Sequence, residues 1–246
     1  MSRAIYIIDQ GAQNLYHFLI YMLANLRHIE YVPDIIYIDL KKGILQHNYI
    51  IEILTALYPN VDLRDARICP PGCPSLQKCS DSISREAGIS PEAYIYLRQI
   101  LLPLLTKYTP KNTYSEYLYI SRNQDSYKRR VVNEDELCKV LPQFQLLTVS
   151  GLPLLEQLYA ISKAKVIISP HGAALSQIVV CREDVRIIEI ASTKMSQLQH
   201  FSHIADTLHL SYCRYTDVIA RDPTSYETDM TIINIQAFQS TLPLRI

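Results

Sequence analysis

No tryptophan occurs among these 246 residues, and the aromatic content is 18 Tyr against 4 Phe. We read no function from that bias. More can be drawn from other absences. No stretch reaches the ~18 consecutive uncharged apolar residues that a spanning helix needs, so no membrane-spanning helix is expected in it. The opening MSRAIYIIDQGAQN has a short apolar run but no small-residue cleavage pattern, so a soluble, cytoplasmic chain is expected. There is no excess of either charge: Lys plus Arg equals Asp plus Glu at 24 each. A global attraction to nucleic acid or an anionic membrane is thereby excluded, and any anion site must be local. The segment CPPGCPSLQKC carries Cys69, Cys73 and Cys79, but not as the two close pairs of a zinc site, so it reads as a reduced loop. Neither GxGxxG nor GxxxxGK[ST] follows any strand-like run, so the usual dinucleotide fingerprint and the P-loop are both missing.

What is present is an alternation of strand-like and helix-like segments. AIYIID (4–9) and DIIYIDL (34–40) read as buried strands, and 15–29 and 49–58 repeat their apolar positions at helical spacing. Residues 67–91 dissolve into Pro, Gly, Ser and Cys, an irregular loop region. A helix over 91–107 leads to YTPKNTYSE, the expected linker. Beyond it, strands at 117–121, 144–149, 165–169, 185–191 and 212–218 alternate with helices at 133–141, 152–164, 173–180 and 195–210. A last helical segment is expected over 228–241. This pattern predicts an α/β protein with a doubly wound, mostly parallel sheet whose ligand lies at the carboxyl ends of the strands. Three parts are expected: 1–110, 111–225, and a carboxy-terminal 226–246 that packs back on the first lobe.

The strand ends carry the chemistry. KVIISPHGAALSQIVV runs from Lys165 to Val180 as strand, break and small-residue helix. Such a junction gathers free backbone N–H groups and a positive dipole end, which suits an anion such as phosphate. Ser121-Arg122 follows an earlier strand, and Glu189 lies near the end of a later one. A guanidinium, helix-terminal amides and a carboxylate that could accept from ribose hydroxyls suit a nucleoside diphosphate. Lys128-Arg129-Arg130 reads either as a phosphate-binding loop or as a solvated charge cluster. Asn133 and Glu136 have the spacing of a capping box. His171 stands without a second ligand at metal spacing, so it reads as a donor of a hydrogen bond to a phosphate or a sugar hydroxyl, and no metal is expected.

Taken together, YISRNQDSYKRRVVNEDEL, QLYAISKAKVIISPHGAALSQIVV and VRIIEIAS resemble the core of glycosyltransferase family 61, over about residues 117–192. The family pattern is an Arg after a strand, a further Arg or Arg pair before Asn-Glu, a His-Gly-Ala loop and a Glu on the next strand. The resemblance implies an inverting, metal-independent enzyme with no cofactor and GT-B architecture: two Rossmann-like lobes with mostly parallel sheets and an interlobe cleft. It implies a nucleotide-sugar donor, such as UDP-xylose or UDP-GlcNAc, and a glycan acceptor. Nucleic acid is not an expected partner, and a homo-oligomer stays open. Donor-binding residues would be Arg122, Arg129, Arg130, Ser169, His171, Gly172, Ala173 and Glu189, with Glu189 toward the ribose. In the first lobe AQNLYHFLIYML resembles an Asn-x-x-His-aromatic helix start, placing Asn14 and His17. His17 is the candidate general base, with Asp9 to orient it or act instead; Asn14 and Asp39 are acceptor-side candidates. Tyr21 and Ala24-Asn25 replace a family Glu and a Pro-Arg pair. A noncatalytic nucleotide- or glycan-binding module of the same fold is therefore the alternative.

Overall fold

The computed structural model describes residues 3–8, 14–39, 48–69, 71–72, 89–123 and 128–242, with the side chains of Ile8 and Asp39 outside that description. Asp9, Cys73 and Cys79 also lie outside the described residues. The chain forms two units, Met1–Pro110 with Pro153–Tyr159, and Lys111–Leu152 with Ala160–Ile246. Both are mixed α/β with parallel principal sheets. Among the described residues no helix is long and apolar enough to cross a membrane.

In the first unit β1 (Ala4–Ile8), β2 (Ile35–Asp39) and β3 (Asp62–Asp65) form a parallel sheet in that order. Ile36, Tyr37 and Ile38 are all buried, as a central parallel strand covered on both faces requires. The edge strand β3 has the sequence DLRD, too charged and short to read as a strand by pattern. Residues 15–28 are helical throughout but pass from α through π to 3₁₀ geometry. The helix Pro91–Lys107 starts behind Ser90 with Pro at its first position, and buries Tyr94, Leu97, Leu101 and Leu105 along one stripe. Glu52 caps the helix Leu154–Lys163 from a distant part of the chain. Its carboxylate accepts the N–H of Leu154 at 2.7 Å and of Leu155 at 2.9 Å, two donors with no partner inside the helix.

In the second unit β4 (Tyr117–Ser121), β5 (Gln145–Thr148), β6 (Val166–Pro170), β7 (Arg186–Ile190) and β8 (Ser211–Tyr215) form a parallel sheet in the order β5-β4-β6-β7-β8. Every residue of β6 is buried, so its apolar run VIISP occupies the sheet centre. The chain leaves β4 toward β5 on one side and returns to β6 on the other. The carboxyl ends of β4 and β6 are therefore a topological switch point, where ligands of open α/β sheets bind.

Several expectations are corrected. The segment expected as one helix over 228–241 is instead a strand, β10 (Met230–Ile232), and a short helix Ile235–Ser240; β10 pairs antiparallel with β9 (Val218–Ala220). Within the second unit, Met230, Ile232, Ile235, Phe238 and Leu242 of this carboxy-terminal part complete an apolar cluster with Val131, Leu137 and Leu141. The capping box does not form. Asn133 precedes the helix Glu134–Val140, but its side chain makes no cap. Its amide instead donates to the Ile232 carbonyl and accepts the Ile232 N–H, each at 3.0 Å. The helix expected over 195–210 is broken into a 3₁₀ turn, Met195–Gln197, and the helix His200–Thr207. The carbonyls of Ser196 and Leu198 in the break are taken by Arg214, each at 2.7 Å.

Candidate active site

The switch point brings together residues that follow β4, β6 and β7. Arg122, just beyond β4, is buried at 6 % exposure, and its guanidinium lies on the α-carbon of Gly172. A methyl group added there would meet Arg122 Nη1 at 2.0 Å and Cζ at 2.9 Å. Gly172 is extended, with φ 175° and ψ 168°, a conformation open to any residue. Glycine is required by the close approach of the cation and not by the backbone. A 3₁₀ helix, Ala173–Val180, begins at the next residue. A buried guanidinium thus sits beside a helix start at the carboxyl edge of a parallel sheet, an arrangement suited to a phosphate-bearing ligand.

His171 is 3 % exposed and its ring packs against Phe201, with centroids 5.1 Å apart. Its Nδ1 is bonded to Glu189 Oε1. Glu189 is wholly buried, and its other oxygen accepts from the Tyr212 hydroxyl and from Arg214 Nε. Burial pushes this carboxyl up, but the bonds from His171, Tyr212 and Arg214 outweigh it and hold the group below the usual carboxylate range. Burial, and then the charge of Glu189, push the Tyr212 phenol well up, so it stays a donor. The register pairs Glu189 with Ser169 on one side and with Arg214 on the other. Ser169 is buried and its hydroxyl donates to the Pro170 carbonyl at 3.0 Å; Ala173 accepts from the Ser176 hydroxyl at 2.6 Å.

The basic loop divides its labour. Arg130 forms a fork with Asp229, Nη2 to Oδ2 at 2.7 Å and Nε to Oδ1 at 3.4 Å, while its backbone N–H donates to Oδ1 at 3.0 Å. The backbone N–H of Arg129 joins the same carboxylate. Arg130 opposes burial and draws the Asp229 carboxyl below its ordinary range. Arg129 itself stands at φ 80°, the left-handed region costly for a side chain with a β-carbon and most often held at functional sites. A second buried carboxylate, Glu134, accepts from the Ser121 hydroxyl at 2.8 and 3.0 Å.

The first-unit candidates are placed differently. Asn14 caps the helical run at 15–28, its carboxamide oxygen accepting the Tyr16 N–H at 2.9 Å. The His17 ring is stacked on Tyr21, 5.3 Å between centroids and 25° apart, and meets the edge of Tyr16. Asp39 ends β2 opposite Ile8. Among the described residues no group of three or more His, Cys, Asp or Glu could hold a metal.

Sequence reasoning missed Tyr212, Arg214, Glu134 and Asp229. The signal for two of them was present: in YCRYTDV, Tyr212 and Arg214 stand two apart, on one face of a strand. Asp229 gave no signal, since 99 residues separate it from Arg130.

Comparison with known proteins bears on what this site serves. The family model described as Glycosyltransferase 61 matches residues 15–188. Over 123 residues the chain is 31 % identical to Beta-1,2-xylosyltransferase RCN11 of Oryza sativa subsp. japonica, a match covering 42 % of this chain and 23 % of that protein. The chain thus spans under a quarter of the length of the curated relative it matches.

Proposed function

Because the chain belongs to the glycosyltransferase 61 family, we propose that it is an inverting glycosyltransferase of the GT-B type that takes a nucleotide-diphosphate sugar, UDP-linked, and transfers the sugar to a glycan hydroxyl. The observation that carries the reading is the Arg122 guanidinium seated on Gly172 at the switch point of the second sheet. In this reading Arg122 and Arg129 face the diphosphate, with the amides that open the 3₁₀ helix behind it. Arg130 is held by Asp229 and acts as the anchor of its loop. Glu189 supports His171 from behind instead of meeting the ribose, since both its oxygens already accept donors from the protein. The name of the rice relative puts xylose first among the sugars to try, and N-acetylglucosamine, the other sugar that the family resemblance implies, is tried next.

Transfer with inversion breaks the bond from the anomeric carbon to the diphosphate and forms one to the acceptor oxygen on the opposite face. The acceptor proton goes to a base, for which His17 is the candidate, with Asp9 to orient it or act instead and Asn14 and Asp39 on the acceptor side. The charge that develops on the departing diphosphate is met by the guanidinium groups and amides, a preorganised electrostatic role that needs no metal ion. A second reading, a nucleotide-binding module without transfer, is favoured by the first unit: Asn14 is occupied by its cap and His17 is stacked on Tyr21.

The test is calorimetric titration with UDP, GDP, dTDP and CDP, each with and without EDTA, followed by turnover of UDP-xylose. Binding of UDP that survives EDTA is the expected result; binding of no nucleotide by folded protein overturns the donor site. His17→Ala should keep UDP affinity and abolish transfer. Binding without turnover in the unaltered chain leaves the module reading standing.

A further inference from the structure

We propose that Glu189 and Arg214 are positioning residues that fix the tautomer of His171, so that His171 accepts a hydrogen bond from the ligand and does not donate one to phosphate. This rests on the donor-site reading above and specifies which part of the ligand His171 meets.

The geometry leads there in three steps. Glu189 is wholly buried; one oxygen accepts from the Tyr212 hydroxyl and from Arg214 Nε at 2.5 Å, and the other faces His171 Nδ1. A carboxylate so placed is ionised and can only accept, so the nitrogen facing it, Nδ1, carries the hydrogen. The negative charge of Glu189 is already balanced by Arg214, which lies directly opposite it in the β7–β8 register. An imidazole that carries its hydrogen on Nδ1 has a lone pair on Nε2. Among the described residues Nε2 meets no hydrogen-bonding group.

A half-turn of the ring would put Cδ2 in the place of Nδ1 and leave Glu189 Oε1 without this partner, and Phe201 packs against the ring. Arg214 holds the arrangement at its far end: its Nη1 and Nη2 take the carbonyls of Ser196 and Leu198 and close the break after β7. An Nε2 lone pair repels a phosphate oxygen but suits a sugar hydroxyl or a base N–H. Phosphate is left to Arg122, on the neighbouring Gly172, and His171 contributes selectivity for the nucleoside or sugar.

The experiment has two readouts. In protein labelled with [15N]histidine, the ring nitrogens of His171 are assigned by their loss in His171→Ala. One protonated nitrogen, Nδ1, and one bare nitrogen, Nε2, are expected at neutral pH without ligand. Hydrogen on Nε2 overturns the proposal. In Arg214→Met, which takes one donor from Glu189 and two from the carbonyls of Ser196 and Leu198, the ring is expected to lose the single Nδ1–H pattern, and Arg214→Lys to restore it. An unchanged ring in a folded Arg214→Met removes Arg214 from the role.

For the ligand, UDP is compared with inorganic pyrophosphate, which has neither ribose nor base. His171→Ala should weaken UDP about tenfold, the loss of one hydrogen bond, and leave pyrophosphate unchanged, whereas Arg122→Ala should weaken both. Equal losses in His171→Ala overturn the proposal. Failure of the unaltered chain to bind either ligand removes the donor site, while the ring nitrogens still decide whether Glu189 and Arg214 set the tautomer.

Discussion

Gly172→Ala isolates the donor site from the fold. The added β-carbon would stand 2.0 Å from Arg122 Nη1, where ordinary contact begins at 3.4 Å, so the guanidinium must retreat by roughly 1.4 Å, the difference of the two. The backbone needs no adjustment, because φ 175° is extended and suits alanine. The atoms that must yield are the far end of a flexible side chain, so stability should fall by no more than about 1 kcal/mol, within the range of an ordinary substitution. Binding should suffer more. A charge-assisted bond to phosphate contributes about 1.5–3 kcal/mol, so a displaced Arg122 should weaken UDP about 10- to 100-fold. The assay is calorimetry with UDP beside thermal unfolding, on Gly172→Ala, Arg122→Ala and the double variant. If the glycine acts through the arginine, the double variant loses no more than Arg122→Ala alone, a coupling near the full size of the single effect. A folded Gly172→Ala that binds UDP like the parent would refute the reasoning. So would additive losses in the double variant.

Two further outcomes follow from the loop after β4. Asp229→Asn should weaken the Arg130 fork, lowering stability by about 1–2 kcal/mol and loosening Arg129, with weaker UDP binding as the readout. The Asp229 carboxyl is drawn below its ordinary range in the folded chain, so its contribution is complete above the unfolded value of ~3.9. That contribution is lost as pH falls through the lower folded value. The acid-side destabilisation below about pH 4 should therefore be shallower in Asp229→Asn, and an identical slope by chemical denaturation would argue against the fork. Asn133→Ala removes both bonds to Ile232 and should cost about 1–3 kcal/mol with UDP affinity unchanged; a variant as stable as the parent would show that the bonds contribute nothing.

Much of the fold was legible because it depends on local pattern. Continuous apolar runs such as KVIIS can be covered only at the centre of a parallel sheet, and strand ends then point to where chemistry collects. Arg122, His171, Gly172 and Glu189 could be named on that ground alone. The exceptions share one cause. The edge strand β3 is short and charged, and β10 lies in a segment whose apolar spacing also fits a helix. Each is a strand only because a neighbour supplies hydrogen bonds across the sheet.

Sequence alone thus determined which segments alternate, which residues stand at strand ends, and that no net charge directs the chain to a polyanion. Tertiary structure decided what those residues face: that Gly172 is the seat of a guanidinium, that Glu189 turns inward to His171 and Arg214, and that Arg130 is held by an aspartate 99 residues away. The physical reason is that backbone periodicity is written locally in side-chain size and polarity. A hydrogen bond between distant residues depends on strand order and register, which exist only once the sheet has assembled.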